Sequence, residues 1–159
     1  LQTGAIDATE WIAPYNDLAF GFHKVAKFCY APGVHEPGPA LGLTINAKAF
    51  EELPTDLQAI VQRAAGDEAF RMLCEMTVGN AEALGVLLDK YNVQLRRFPQ
   101  EVYDAMLAAG ADVAREAAEK DPFTRKVYES WLGFREKIIE LSPLTELGYM
   151  ALRDAQNQT

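Results

Sequence analysis

Positive charge is the first scarcity in this chain. Fifteen Lys and Arg stand against 23 Asp and Glu, giving a formal net charge of -8 at pH 7. An acidic surface repels phosphate backbones, which excludes general nucleic-acid binding. The pair Arg96-Arg97 reads as a solvated strand edge. Long apolar runs are also missing. With no stretch of about 18 apolar residues, nothing in the sequence reads as a membrane span. No basic segment leads into an apolar one as a secretion signal does. Cysteine is reduced to Cys29 and Cys74, which form no C-x-x-C pair and cannot build a disulfide framework. They read as two small buried apolar residues, with a single bridge between them left open. Histidine is confined to His23 and His35. His35-Glu36 starts like the zinc motif H-E-x-x-H, but Pro39 stands where the second histidine belongs. Cys29 and His23 have no third group to orient them as a nucleophile pair. Nucleotide-binding glycine loops and the G-x-S-x-G elbow are absent.

What is present is ordinary globular composition. The 159 residues are 49% hydrophobic and 24% charged, enough for a packed core. Helix breakers gather early, at Pro14, Pro32, Gly33, Pro37, Gly38 and Pro39. Residues 1–53 therefore read as a strand- and loop-rich segment, and 54–159 as mainly helical. Leu1–Gly4 reads as the last turn of a helix with Gly4 at its C-cap, implying an upstream segment. Short strands are expected at Lys27–Tyr30, Leu41–Ile45 and Asp7–Glu10, and a short helix at Tyr15–Phe22. After Pro54, with Thr55 as N-cap, apolar residues from Leu57 to Leu88 keep a helical period, and a bend is expected near Gly79. A strand at Asn92–Phe98, with Val93 and Leu95 on one face, precedes a helix opened by Pro99. Asp121-Pro122 restarts a further helix, with an acceptor at the N-cap and proline at the first position. Val127, Trp131, Phe134, Ile138 and Leu141 then form a narrow seam suited to a partner helix. Ser142-Pro143 ends it before a last short helix and a frayed polar tail from Asp154. The fold class is α/β with helices predominating.

Glu10 and Glu36 supply the chemistry. Both are hard oxygen donors at loop positions following expected strands, where α/β proteins place ligands. Two carboxylates with backbone carbonyls suit Na⁺ or Ca²⁺ better than zinc. Trp11, Tyr15, Phe20 and Phe22 cluster beside Glu10 and read either as pocket wall or as core.

The run Gly4-Ala5-Ile6-Asp7-Ala8-Thr9-Glu10-Trp11 resembles a hallmark of the DctP-type solute-binding subunits of TRAP transporters. Tyr30-Ala31-Pro32-Gly33 with Glu36 is similar to that family's strand and ligand loop. Asn46, Phe50, Leu53 and Pro54 are similar to its step into a long helix, and Asn92–Phe98 to its late strand. The resemblance covers nearly the whole chain and implies the C-terminal part of a two-lobed, type II-like periplasmic binding protein. It is strongest for the subgroup that binds 2-oxo or 2-hydroxy acids with a cation. There Glu10 gives its carboxylate to the metal, Trp11 its backbone carbonyl, and Glu36 a further carboxylate. Glu10, Trp11 and His35 are the residues expected at the substrate. Val34-His35 departs from the aromatics that often precede the second glutamate. The resemblance also implies delivery to a membrane permease, with no enzymatic step. The seam at Val127–Leu141 is expected to pack on the chain's own lobe or, as in some members of that subgroup, on a second copy in a homodimer through the C-terminal helices. Two rival readings follow from the residues alone: a metal-dependent lyase or hydrolase using Glu10 and Glu36, and a helical interaction domain over residues 99–153.

Overall fold

The computed structural model describes residues 1–34, 36–38 and 41–156. The chain forms two units, Leu1–Pro99 and Gln100–Thr159.

In the first unit, Pro14 fixes the first turn of α1 (Pro14–Phe20), which ends at Gly21 in the left-handed conformation. A 3₁₀ turn, Phe22–Lys24, leads to β1 (Phe28–Tyr30). Asn46 caps α2 (Ala47–Glu51), its side-chain oxygen accepting the Ala49 N–H at 3.1 Å. α3 runs from Thr55 to Gly85, about 46 Å at 1.5 Å per residue. It passes into a π turn, Val86–Lys90, where the Tyr91 N–H reaches the Val86 carbonyl. β2 (Gln94–Arg96) then pairs in parallel with β1, in the register Phe28↔Gln94, Cys29↔Leu95 and Tyr30↔Arg96. A parallel pair needs a long crossover, and α3 provides it.

The residues of α3 that lose solvent recur at helical spacing in its second half: Met76, Gly79, Asn80 and Ala83, then Leu87 in the π turn. α1 packs on this stretch. Ala83 and Leu87 are buried, and Leu87 is the one large apolar side chain buried among the described residues.

The second unit is helical. α4 (Gln100–Ala118) packs against α5 (Pro122–Leu141). Asp121 caps α5, accepting the Thr124 N–H at 2.9 Å, as its pairing with Pro122 leads one to expect. A 3₁₀ turn at Ser142–Leu144 turns the chain into α6 (Glu146–Gln156).

Several expectations are corrected. Asp7–Glu10 and Leu41–Ile45 form no strand; the alternating Leu41, Leu43 and Ile45 stay exposed because no neighbouring strand takes their amides. Gly4 has the expected positive φ, but Leu1–Gly4 is a turn closed by the Gly4 N–H on the Leu1 carbonyl at 3.0 Å. Pro54, not Thr55, is the N-cap of α3, its carbonyl taking the Gln58 N–H. α3 is one continuous helix through Gly79, where α1 packs on it, and its irregular turn comes later at Val86–Lys90. Cys74 is exposed rather than buried, Cys29 is half-buried, and both are free thiols. On α5 the seam of Val127, Trp131, Phe134, Ile138 and Leu141 is exposed. The half-buried row is Thr124, Tyr128 and Leu132, a different face at i, i+4 spacing.

Candidate functional site

Glu10 and Trp11 lie in the irregular stretch leading straight into α1. No ladder holds these residues; the Thr9 hydroxyl donates to the Glu10 carbonyl at 3.3 Å. The Trp11 ring meets Phe20, the last residue of α1, with centroids 5.1 Å apart, and Phe20 stacks on Phe22 at 6.3 Å. The aromatic cluster expected here is therefore real. It is not core, since Trp11 keeps 42% of its surface and Phe20 67%. Tyr15 departs from it and lies instead on α3 at Gly79.

Asp17, in the first turn of α1, was not singled out by sequence reasoning. Burial pushes its carboxyl above the usual range, and the neighbouring charge of Glu10 pushes it further in the same direction. Asp17 in turn adds to burial in raising the Cys29 thiol. The signal in the sequence was its place three residues after Pro14, in the turn that faces back toward Glu10.

Glu36 is exposed on the loop after β1. That loop folds back on itself: a Cβ on Gly33 would stand 3.5 Å from the Glu36 carbonyl oxygen. His35, the remaining expected substrate contact, lies outside the described residues. β1 itself is fixed by β2, by the Tyr30–Phe98 stack at 4.3 Å and by the Arg96 guanidinium 3.9 Å over the Phe28 ring. Arg96, expected as half of a solvated pair, is thus engaged with its own sheet.

The donors suit a hard cation. Glu10 and Glu36 offer carboxylate oxygens and Trp11 a backbone carbonyl, the set that calcium and sodium prefer. Burial is the main cause of the rise at Asp17, and the charge of Glu10 adds to it. Among the described residues no group of three or more His, Cys, Asp or Glu is arranged to hold a metal by side chains alone. Two shallow hollows exist elsewhere in the first unit. One of about 410 Å³ is lined by Leu43, Ile45, Phe50 and Val61, and one of about 680 Å³ by Tyr15, Asn16, Met76 and Gly79. Neither includes Glu10, Trp11 or Glu36.

Known proteins match almost the whole chain. The chain is 38% identical over 149 residues to the monocarboxylate 2-oxoacid-binding periplasmic protein of Nostoc sp., an alignment covering 94% of this chain and 41% of that protein. A TRAP periplasmic solute-binding protein from Colwellia psychrerythraea, solved with bound calcium and pyruvate, superposes with a TM-score of 0.88 at 36% identity, over 95% of this chain and 46% of that one. One from Bordetella bronchiseptica, a dimer with calcium and picolinate in one site, gives 0.88 at 33%, over 99% and 47%. One from Pseudoalteromonas atlantica, with sodium and pyruvate, gives 0.84 at 34%, over 95% and 46%. The chain thus spans less than half the length of these relatives. The rival readings, a lyase or hydrolase and a helical interaction domain, find no support among them. Residues 1–121 match the family described as DctP, bacterial extracellular solute-binding protein, family 7, and the chain belongs to that family.

Proposed function

We propose that this chain is part of the substrate-binding subunit of a TRAP-type transporter, which captures a small 2-oxo or 2-hydroxy acid together with Na⁺ or Ca²⁺. The observation that carries the reading is the oxygen-donor segment Glu10-Trp11, in a chain whose solved relatives hold pyruvate with calcium or sodium. Glu10 and Glu36 give carboxylates to the cation and Trp11 its carbonyl. The cation, when bound, supplies the positive charge that offsets the cost of taking an anionic acid out of water. Trp11 and His35 border the acid. The protein binds without turnover, works in the periplasm and hands its ligand to membrane permease subunits by closing its lobes. No helix among the described residues is long and apolar enough to cross a membrane. It pairs with a second copy through the C-terminal helices, a reading supported by the uncovered apolar stripe of α5.

Titration calorimetry on the intact protein tests the site. Pyruvate should bind in the presence of calcium or sodium and not after chelation in a sodium-free buffer. Glu10→Gln and Glu36→Gln should each weaken cation binding by more than about 100-fold, beyond the 10–100-fold usual for groups that only support a metal ligand. Tight pyruvate binding that ignores both cation and substitutions would refute the assignment.

A further inference from the structure

The first turn of a helix leaves amide groups without internal partners, and a side chain at the N-cap normally takes one of them. Ala13, the N-cap of α1, has no such side chain. The Tyr15 N–H instead donates to Oδ1 of Asn80 at 3.0 Å, from a residue 65 positions away on α3. One residue earlier, Gly79 makes room for the Tyr15 ring: a Cβ there would stand 3.0 Å from Cδ2 and 3.2 Å from Cγ. Glycine is a poor residue inside a helix, and this close approach is its reason. Gly66, in the same helix, would have nothing within 4 Å of an added methyl and serves no such purpose. The far end of α1 carries Phe20, on which the Trp11 ring rests. α1 is therefore held at its start by α3 and at its end supports Trp11.

We propose that Gly79 and Asn80 are positioning residues for the Glu10–Trp11 segment: they cap and seat α1 from another helix and so fix the oxygens offered to the cation. The inference rests on the cation-binding reading above. It assigns a role to two residues that carry no metal ligand themselves.

The test uses the intact protein, with calcium-dependent pyruvate affinity as one readout and Tyr15 amide exchange, measured without cation, as the other. Gly79→Ala and Asn80→Ala should each speed Tyr15 exchange and weaken affinity by about tenfold (1.4 kcal/mol). Asn80→Asp, which keeps the acceptor oxygen, should restore the protection. Gly66→Ala should leave both readouts unchanged. Should Gly79→Ala fold poorly, Asn80→Ala decides alone, since it leaves the glycine in place. Faster exchange with wild-type affinity would reduce the contact to a structural one and overturn the proposal. Unchanged exchange would overturn the geometry. A wild-type protein that binds no pyruvate with calcium or sodium would instead overturn the functional reading, and the inference with it.

Discussion

Replacing Trp131 and Phe134 together by alanine asks what covers the outer face of α5. Trp131 keeps 51% of its surface and Phe134 65%, so about half or more of each remains to be buried. Burying a whole large apolar side chain contributes about 1.5–3 kcal/mol, so covering what is left contributes roughly 1–2 kcal/mol for each ring. In a two-fold dimer both rings count twice, giving roughly 4–8 kcal/mol between two copies. Association costs apply equally to parent and variant. At 1.4 kcal/mol per tenfold, the variant's dimer should dissociate roughly a thousand-fold more readily, or more. Sedimentation of the intact protein at tens of micromolar should show the parent as a dimer and the variant as a folded monomer. Leu132→Ala is the contrast. It lies in the row of α5 that loses solvent and should lower stability by about 2 kcal/mol without changing mass. A double variant that stays dimeric with full stability would refute the reasoning. One that stays dimeric but loses stability would place the cover within a single subunit.

Leu87→Ala should cost roughly 3 kcal/mol in denaturant unfolding, because Leu87 is buried; a cost under about 1 kcal/mol would contradict that burial. The Thr124 hydroxyl, followed by the Thr124 amide, holds the Asp121 carboxyl below its usual range. A depressed folded value means stability present above the ordinary Asp value of about 3.9 and lost as pH falls through the lower folded value. Asp121→Asn, which keeps an acceptor oxygen, should therefore show a smaller acid-induced fall in Tm below about pH 4, and an unchanged acid profile would count against the cap. Burial, then Asp17, raises the Cys29 thiol, while Cys74 is exposed, so iodoacetamide should label Cys74 first, with the order read by peptide mass.

Features with a local cause were legible. Pro14 announced α1, Asp121-Pro122 announced α5, and the apolar period after Pro54 announced α3. β1 and β2 were visible as short apolar runs between turns, though not their pairing. Leu41–Ile45 failed because alternation describes a face and cannot supply a neighbouring strand. The seam on α5 was legible as a stripe, but not what covers it. Apolar spacing identified a stripe, while α4 took the adjacent row through Thr124, Tyr128 and Leu132. Glu10, Trp11 and Glu36 stood out by resemblance and donor chemistry. Asp17 and the contact of Tyr15 with Gly79 and Asn80 did not, since they arise only when distant segments meet.

The contact between Tyr15 and Asn80 also carries a consequence for synthesis. The two residues are 65 positions apart, and translation runs at about 5–20 residues per second. For roughly 3–13 s after Tyr15 is made, the helix that supports Trp11 has no cap, because its acceptor does not yet exist. β1 waits similarly for β2, with all of α2 and α3 to be translated between them. During that interval Trp11, Phe20 and Phe28 are open to any chaperone that takes extended apolar chain. The ligand segment comes early in this chain but is set in place only after the second half of α3 has emerged.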